Sequence, residues 1–137
     1  MITRQQYFGK WLNSPDMTSV VEEAAEHLIE IVNSLMQIAE QEGVHFPINP
    51  VTGSQISGRL YGGFRPKDCA EGSPCSAHKL GMAVDLYDPD GEIDAWCFAN
   101  QEVLGIHHVH LEHPEATKGW SHWSIKVPLS GRTVFWP

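Results

Sequence analysis

The chain has 137 residues, 42% of them apolar, and a formal net charge of −8. That length supports a single domain with one core, and the apolar share is ordinary for a globular protein. The acidic balance argues against nucleic-acid partners and anionic membrane surfaces, both of which favour basic proteins.

No stretch is long and apolar enough to span a membrane. The N-terminus lacks the positive-then-apolar pattern of a signal peptide, so the expected location is cytoplasmic as synthesised. Three cysteines, Cys69, Cys75 and Cys97, are an odd count that excludes a full disulfide framework. Cys69 and Cys75 flank a Gly-Pro loop and could pair in an oxidising compartment, but free thiols are the expectation for a cytoplasmic chain. No Cys-x-x-Cys pair is present, which argues against a thiolate zinc knuckle.

In chain order, Tyr7, Phe8, Trp11 and Leu12 recur at roughly helical spacing and predict a short helix packed on the core, broken at Asn13–Asp16. A long amphipathic helix is predicted from Ser19. Ser19 and Glu22 read as a capping box, and Val21, Ala24, Leu28, Ile31, Val32, Leu35, Ile38 and Ala39 form the apolar stripe. Gly43 is the expected stop. The glutamates off that stripe read as a solvated face, and His27 as a surface histidine. Residues 1–45 thus form an N-terminal helical segment of the one domain.

Phe46–Gly53 reads as loop and Ser54–Tyr61 as a strand. Gly62-Gly63-Phe64-Arg65-Pro66 then turns sharply and presents Arg65. An arginine so placed either sits on the surface or holds a carboxylate and stabilises oxyanion charge.

The stretch from Ser76 to Asp85 organises the rest. His78 lies in a turn closed by Gly81, and from Met82 the residues alternate. Met82, Val84 and Leu86 face one way, and Ala83, Asp85 and Tyr87 the other. Asp88-Pro-Asp-Gly91 ends this strand. With Asp94 it superficially suggests a calcium loop, but the glycine falls at the wrong step for an EF-hand, and a turn plus helix start is expected. A second helix is predicted over Glu92–Leu104, with Trp96, Cys97 and Val103 among its apolar residues and Gly105 as its end. Ile106–Glu112, read as a strand, puts His108, His110 and Glu112 on one face, and His107, Val109 and Leu111 on the other. His113–Gly119 is a loop. Trp120–Val127 predicts a last strand, with Trp123, Ile125 and Val127 apolar and His122, Ser124 and Lys126 polar.

Five of the eight histidines fall between His107 and His122. Strands that present Asp85 and His122 on open faces, with His78 in a loop beside them, predict a metal site. Two histidines and a carboxylate are the protein ligands of a catalytic zinc that leaves its fourth position to water. Hydrolysis also needs a group to take the water's proton. Glu112 is the first candidate and Glu115 the second, with His110 an alternative acid, substrate contact or ligand.

The pattern Ser76-x-His78-x-x-Gly81-x-Ala83-x-Asp85, followed by Trp120-x-His122, resembles the D-alanyl-D-alanine carboxypeptidase group of zinc peptidases. That group shares its zinc-binding fold with the hedgehog signalling domain and the lysostaphin-type endopeptidases. The resemblance runs from about Ile56 to the C-terminus. Gly63-Phe64-Arg65-Pro66 looks like the group's arginine loop, while Gly119-Trp-Ser-His-Trp and the terminal Gly-Arg-x-Val-Phe-x-Pro look like small bacteriophage or prophage members. The resemblance implies an α+β fold, with helices flanking a small antiparallel sheet that carries the site within residues 54–137. It implies Zn²⁺ on His78, Asp85 and His122, substrate contact by Arg65, and support from Ser76. It also implies a peptidoglycan peptide as substrate, cut by a carboxypeptidase or an endolysin-like endopeptidase. Gly119 stands where many members carry the catalytic glutamate; members with the acid further upstream would match Glu112. A catalytically inactive, zinc-stabilised wall-binding or virion module is the alternative.

Overall fold

In the computed structural model, which describes residues 1–72 and 76–137, the apolar stripe of the N-terminal segment becomes one long helix. A short helix α1 (Arg4–Phe8) and a 3-10 turn (Gly9–Trp11) precede α2 (Ser19–Gln41). Thr18, not Ser19, caps α2: its hydroxyl accepts the Val21 N–H at 3.3 Å. The buried stripe is Val21, Ala25, Leu28, Val32, Leu35, Met36 and Ala39, so it sits slightly round the helix from the predicted one. Glu42 ends the helix, and Gly43 at φ 93° turns the chain away.

The remaining elements are β1 (Ala83–Tyr87), α3 (Glu92–Ala99), α4 (Gln101–Ile106), β2 (His110–Glu112), a 3-10 turn (Pro114–Ala116), β3 (Trp120–Ser124) and β4 (Val134–Phe135). They give an α+β architecture with a four-stranded sheet in the order β1-β3-β2-β4. The expected all-antiparallel sheet is corrected in one place. β1/β3 and β2/β3 are antiparallel, but β4 runs parallel to β2.

Four predicted elements differ from expectation, each for a local reason. Ser54–Tyr61 is not a strand. Its backbone meets β1 only through the Ile56–Leu86 bridge and bonds from Ser57 N–H to Asp85 O and from Tyr87 N–H to Gln55 O, both 2.8 Å. Beyond Ser57 the chain loops out through Gly58 (φ 74°) and returns at Gly62, whose carbonyl accepts Asp85 N–H at 2.7 Å. The Glu92–Leu104 helix is split at Asn100, whose side-chain amide donates to Trp96 O at 2.7 Å, displacing the backbone donor of an unbroken helix. The second piece runs on through Gly105 to Ile106, so the strand predicted from Ile106 begins only at His110. His108 takes φ 58°, which a strand does not allow. The Trp120–Val127 strand ends at Ser124, whose hydroxyl accepts Lys126 N–H at 3.0 Å and leaves Val127 exposed.

One core joins the α2 stripe to Val84, Leu86, Leu111 and Trp123 on one face of the sheet, and to Ile93, Cys97 and Leu104. Burial pushes the Cys97 thiol well up, which makes it an inert core group. Cys75 lies outside the described residues, and with it the possible pairing to Cys69. Asp88 caps the start of α3, as the expected turn and helix start require: its two carboxylate oxygens accept Ile93 N–H (3.0 Å) and Asp94 N–H (2.9 Å). No helix among the described residues is long and apolar enough to cross a membrane.

The N-terminal segment also braces the region of the predicted site. The buried Tyr7 hydroxyl donates to Ala83 O at 2.9 Å, and Tyr7 O accepts Phe64 N–H at 3.0 Å. Gly63 is pressed against the same carbonyl, so a Cβ there would lie 2.2 Å from Tyr7 O. Gly63→Ala is therefore expected to cost about 3 kcal/mol, read as a lowered urea midpoint at unchanged slope. A midpoint equal to wild type would contradict this packing.

Candidate metal centre

Asp85 is the hub. Alternation along β1 sends Val84 and Leu86 into the core and turns Asp85 to the opposite face, where it is 8% exposed. Its register partner across β3 is His122, and His122 Nδ1 lies 2.7 Å from Asp85 Oδ1. His78 arrives from the turn before β1. Gly81 closes that turn at φ 71°, and a Cβ on it would sit 2.7 Å from Val21 O, so the turn requires glycine on both counts. His78 Nδ1 lies 2.8 Å from Gly63 O and donates to it, which leaves Nε2 facing Asp85 Oδ1 at 3.3 Å. One donor atom from each of the three side chains lies within 4.8 Å of the others.

Among the described residues this is the one group of three or more such side chains with that geometry, and it could hold a metal ion. The donor chemistry fits a borderline divalent cation. Two imidazole nitrogens and a carboxylate oxygen are present, and a backbone carbonyl fixes the orientation of one imidazole from behind.

The charges of the metal-free site are tightly linked. Burial works to raise the Asp85 carboxyl, but the charge of His78 and the His122 hydrogen bond outweigh it and hold Asp85 well below the usual carboxylate range. Burial likewise works to lower His122, and the Asp85 hydrogen bond and charge, with Glu112 behind them, raise it instead. The signs define a pH window. The contribution of Asp85 is present above its ordinary value of 3.8 and is lost as pH falls through its depressed one. That of His122 is present below its ordinary 6.5 and is lost as pH rises through its raised one. The metal-free protein is thus expected to resist denaturant best between those two ordinary values. Metal must displace the His122 proton, so affinity should climb about tenfold per pH unit until that proton is gone. Competition titrations with a chromogenic chelator across neutral pH measure this, and a flat profile would contradict it.

Glu112 stands beside the triad. The β2/β3 ladder pairs Leu111 with Trp123, and its next step sets Glu112 opposite His122 on the same face as Asp85. Half-buried, Glu112 has its carboxyl raised by burial against the opposing charge of His122. Arg65 closes the other side. Its Nε donates to Tyr61 O at 2.8 Å, and its Nη2 lies 3.5 Å from Asp85 Oδ2. Ser76 opens the turn that carries His78, and it lines the same cleft of about 1660 Å³ as Arg65, Glu112 and the triad.

Other candidates fall away from the centre. His110 Nδ1 is tied to Arg132 O at 2.9 Å, and His110 is not part of the cleft wall. Glu115 is exposed on the 3-10 turn and lines a separate hollow. His107 bonds Val103 O. Gly119 takes φ 95°, a conformation that disfavours any side chain, so the position before β3 is unsuited to an acid here. The carbonyls of Gly63 and Tyr61, which aim His78 and Arg65, have no signature in side-chain identity. The rings of Phe98, His113 and Trp136 at the cleft's far end also escaped a reading organised around ligands. Comparison with protein-family models, curated proteins and solved structures found no match to this chain.

Proposed function

We propose that this protein is a zinc-dependent peptidase that hydrolyses peptide bonds in bacterial cell-wall peptidoglycan. The observation that carries the reading is the convergence of His78, Asp85 and His122 beside Glu112 and Arg65 in one open cleft. The spacing of Ser76, His78, Gly81 and Asp85, with Trp120 and His122 downstream, supports the zinc peptidase group described above and its cell-wall substrate.

A divalent ion on these ligands would polarise the scissile carbonyl and lower the pKa of a bound water. Glu112 accepts one proton from the attacking water and delivers it to the departing amine as the C–N bond breaks. Its place opposite His122, on the same face as Asp85, suits a group that must both take and give a proton beside the ion. Arg65, held by the Tyr61 carbonyl, pairs with a substrate carboxylate and fixes the chain across the centre.

The test joins metal analysis to turnover. Purified protein should hold one equivalent of zinc and release free amino groups from isolated cell walls, and a chelator should stop the release. Zinc-loaded protein that binds walls without releasing amines would instead identify a non-catalytic wall-binding module.

A further inference from the structure

The cleft continues well past the metal centre. Its floor follows one row of residues across the sheet, from Asp85 through His122 and Glu112 to Phe135. At about 4.8 Å per strand, that row covers about 14 Å. Arg65 stands at the Asp85 end. The far end meets a stack of rings. Trp136 lies face to face with His113, with centroids 4.0 Å apart and planes at 9°. Phe98 meets His113 edge-on at 5.6 Å. Trp136 is nevertheless 61% exposed and Phe98 46% exposed, and both line the cleft.

We propose that this limb is a saccharide subsite in which Trp136 stacks against the C–H face of a pyranose ring. The assignment rests on the peptidase reading for its direction: with the substrate carboxylate at Arg65, the part of the substrate on the other side of the scissile bond lies over Glu112 and Phe135 towards Trp136. The chemistry of the limb selects a sugar. A flat, open aromatic face suits the apolar side of a pyranose, whereas an aliphatic side chain is better served by an enclosed pocket. Gln101, whose side-chain amide donates one hydrogen to Phe98 O at 3.1 Å and keeps its second hydrogen and its oxygen, lines the same cleft, as does the exposed Arg132, and both can bond ring hydroxyls. The ligand class is therefore a pyranose of the amino-sugar glycan to which, on the proposed function, the peptide is attached.

The probe is a tetramer of N-acetylglucosamine, titrated into the full chain while the Trp136 indole N–H is followed by NMR. A saturable shift of that signal is expected, and Trp136→Ala should weaken binding at least tenfold with the other indole signals unmoved. Trp136 is exposed, so this variant leaves the core intact. In turnover, Trp136→Ala should raise KM about tenfold for a glycan-linked peptide and leave KM unchanged for the same peptide freed of sugar. The absence of a saturable shift would overturn the subsite, as would binding indifferent to Trp136 or an equal KM change for the sugar-free peptide. The two readings separate cleanly. Saccharide binding without hydrolysis keeps the subsite and rejects the peptidase, while hydrolysis without saccharide binding does the reverse.

Discussion

Replacing Asp85 with asparagine is expected to lower zinc affinity by well over 100-fold, because even the loss of an outer partner of a metal ligand costs on the order of 10- to 100-fold. The change is nearly isosteric, so the β1/β3 pairing of Asp85 with His122 persists. What disappears is the anionic donor between two imidazoles. His122 loses the hydrogen-bonding carboxylate that raises it, so in the metal-free variant it falls back towards or below its ordinary value. The Arg65 guanidinium is left beside a neutral amide in place of Asp85 Oδ2. Competition titration gives the affinity, and circular dichroism checks the fold. A folded Asp85→Asn protein that binds zinc as wild type does would show that the ion, if any, sits elsewhere.

On the proposed peptidase function, Glu112→Gln should separate binding from chemistry. Glutamine keeps the shape and one acceptor oxygen but cannot take a proton. Zinc content should stay at one equivalent, while kcat on cell-wall peptide falls on the order of 10²- to 10⁴-fold, the usual worth of a positioned general base. KM should change little, since the step removed belongs to the transition state. Turnover retained in Glu112→Gln would move the base to another residue. Loss of zinc along with turnover would make Glu112 a ligand.

The shared face of Asp85 and His122 was legible because β-strand alternation is a strong local rule. Val84 and Leu86 had to face the core, which left Asp85 to face away, and Trp123 did the same for His122. The long helix was legible from its stripe, though the cap shifted to Thr18 because either hydroxyl suits that position. Failures came where side chains compete with the backbone. Asn100 interrupts a helix whose apolar pattern runs through it, and Ser124 ends a strand whose alternation continues to Val127. His108 gave no warning, since its left-handed backbone serves the link from α4 to β2 and not its own side chain. The parallel β4 was hidden for a different reason. Two residues, Val134 and Phe135, carry too little pattern to reveal a partner more than 20 positions away.

The strand order has a consequence in time. β3 lies between β1 and β2, although it follows both in sequence. Until it inserts, the growing polypeptide has His78 and Asp85 but nothing to complete their grip. An ion captured early would be lost to any competing chelator in the cell. If these three side chains hold zinc as proposed, its retention would report that the central strand has threaded into place, and a ribosome-stalled chain ending before Trp120 should emerge unable to keep it.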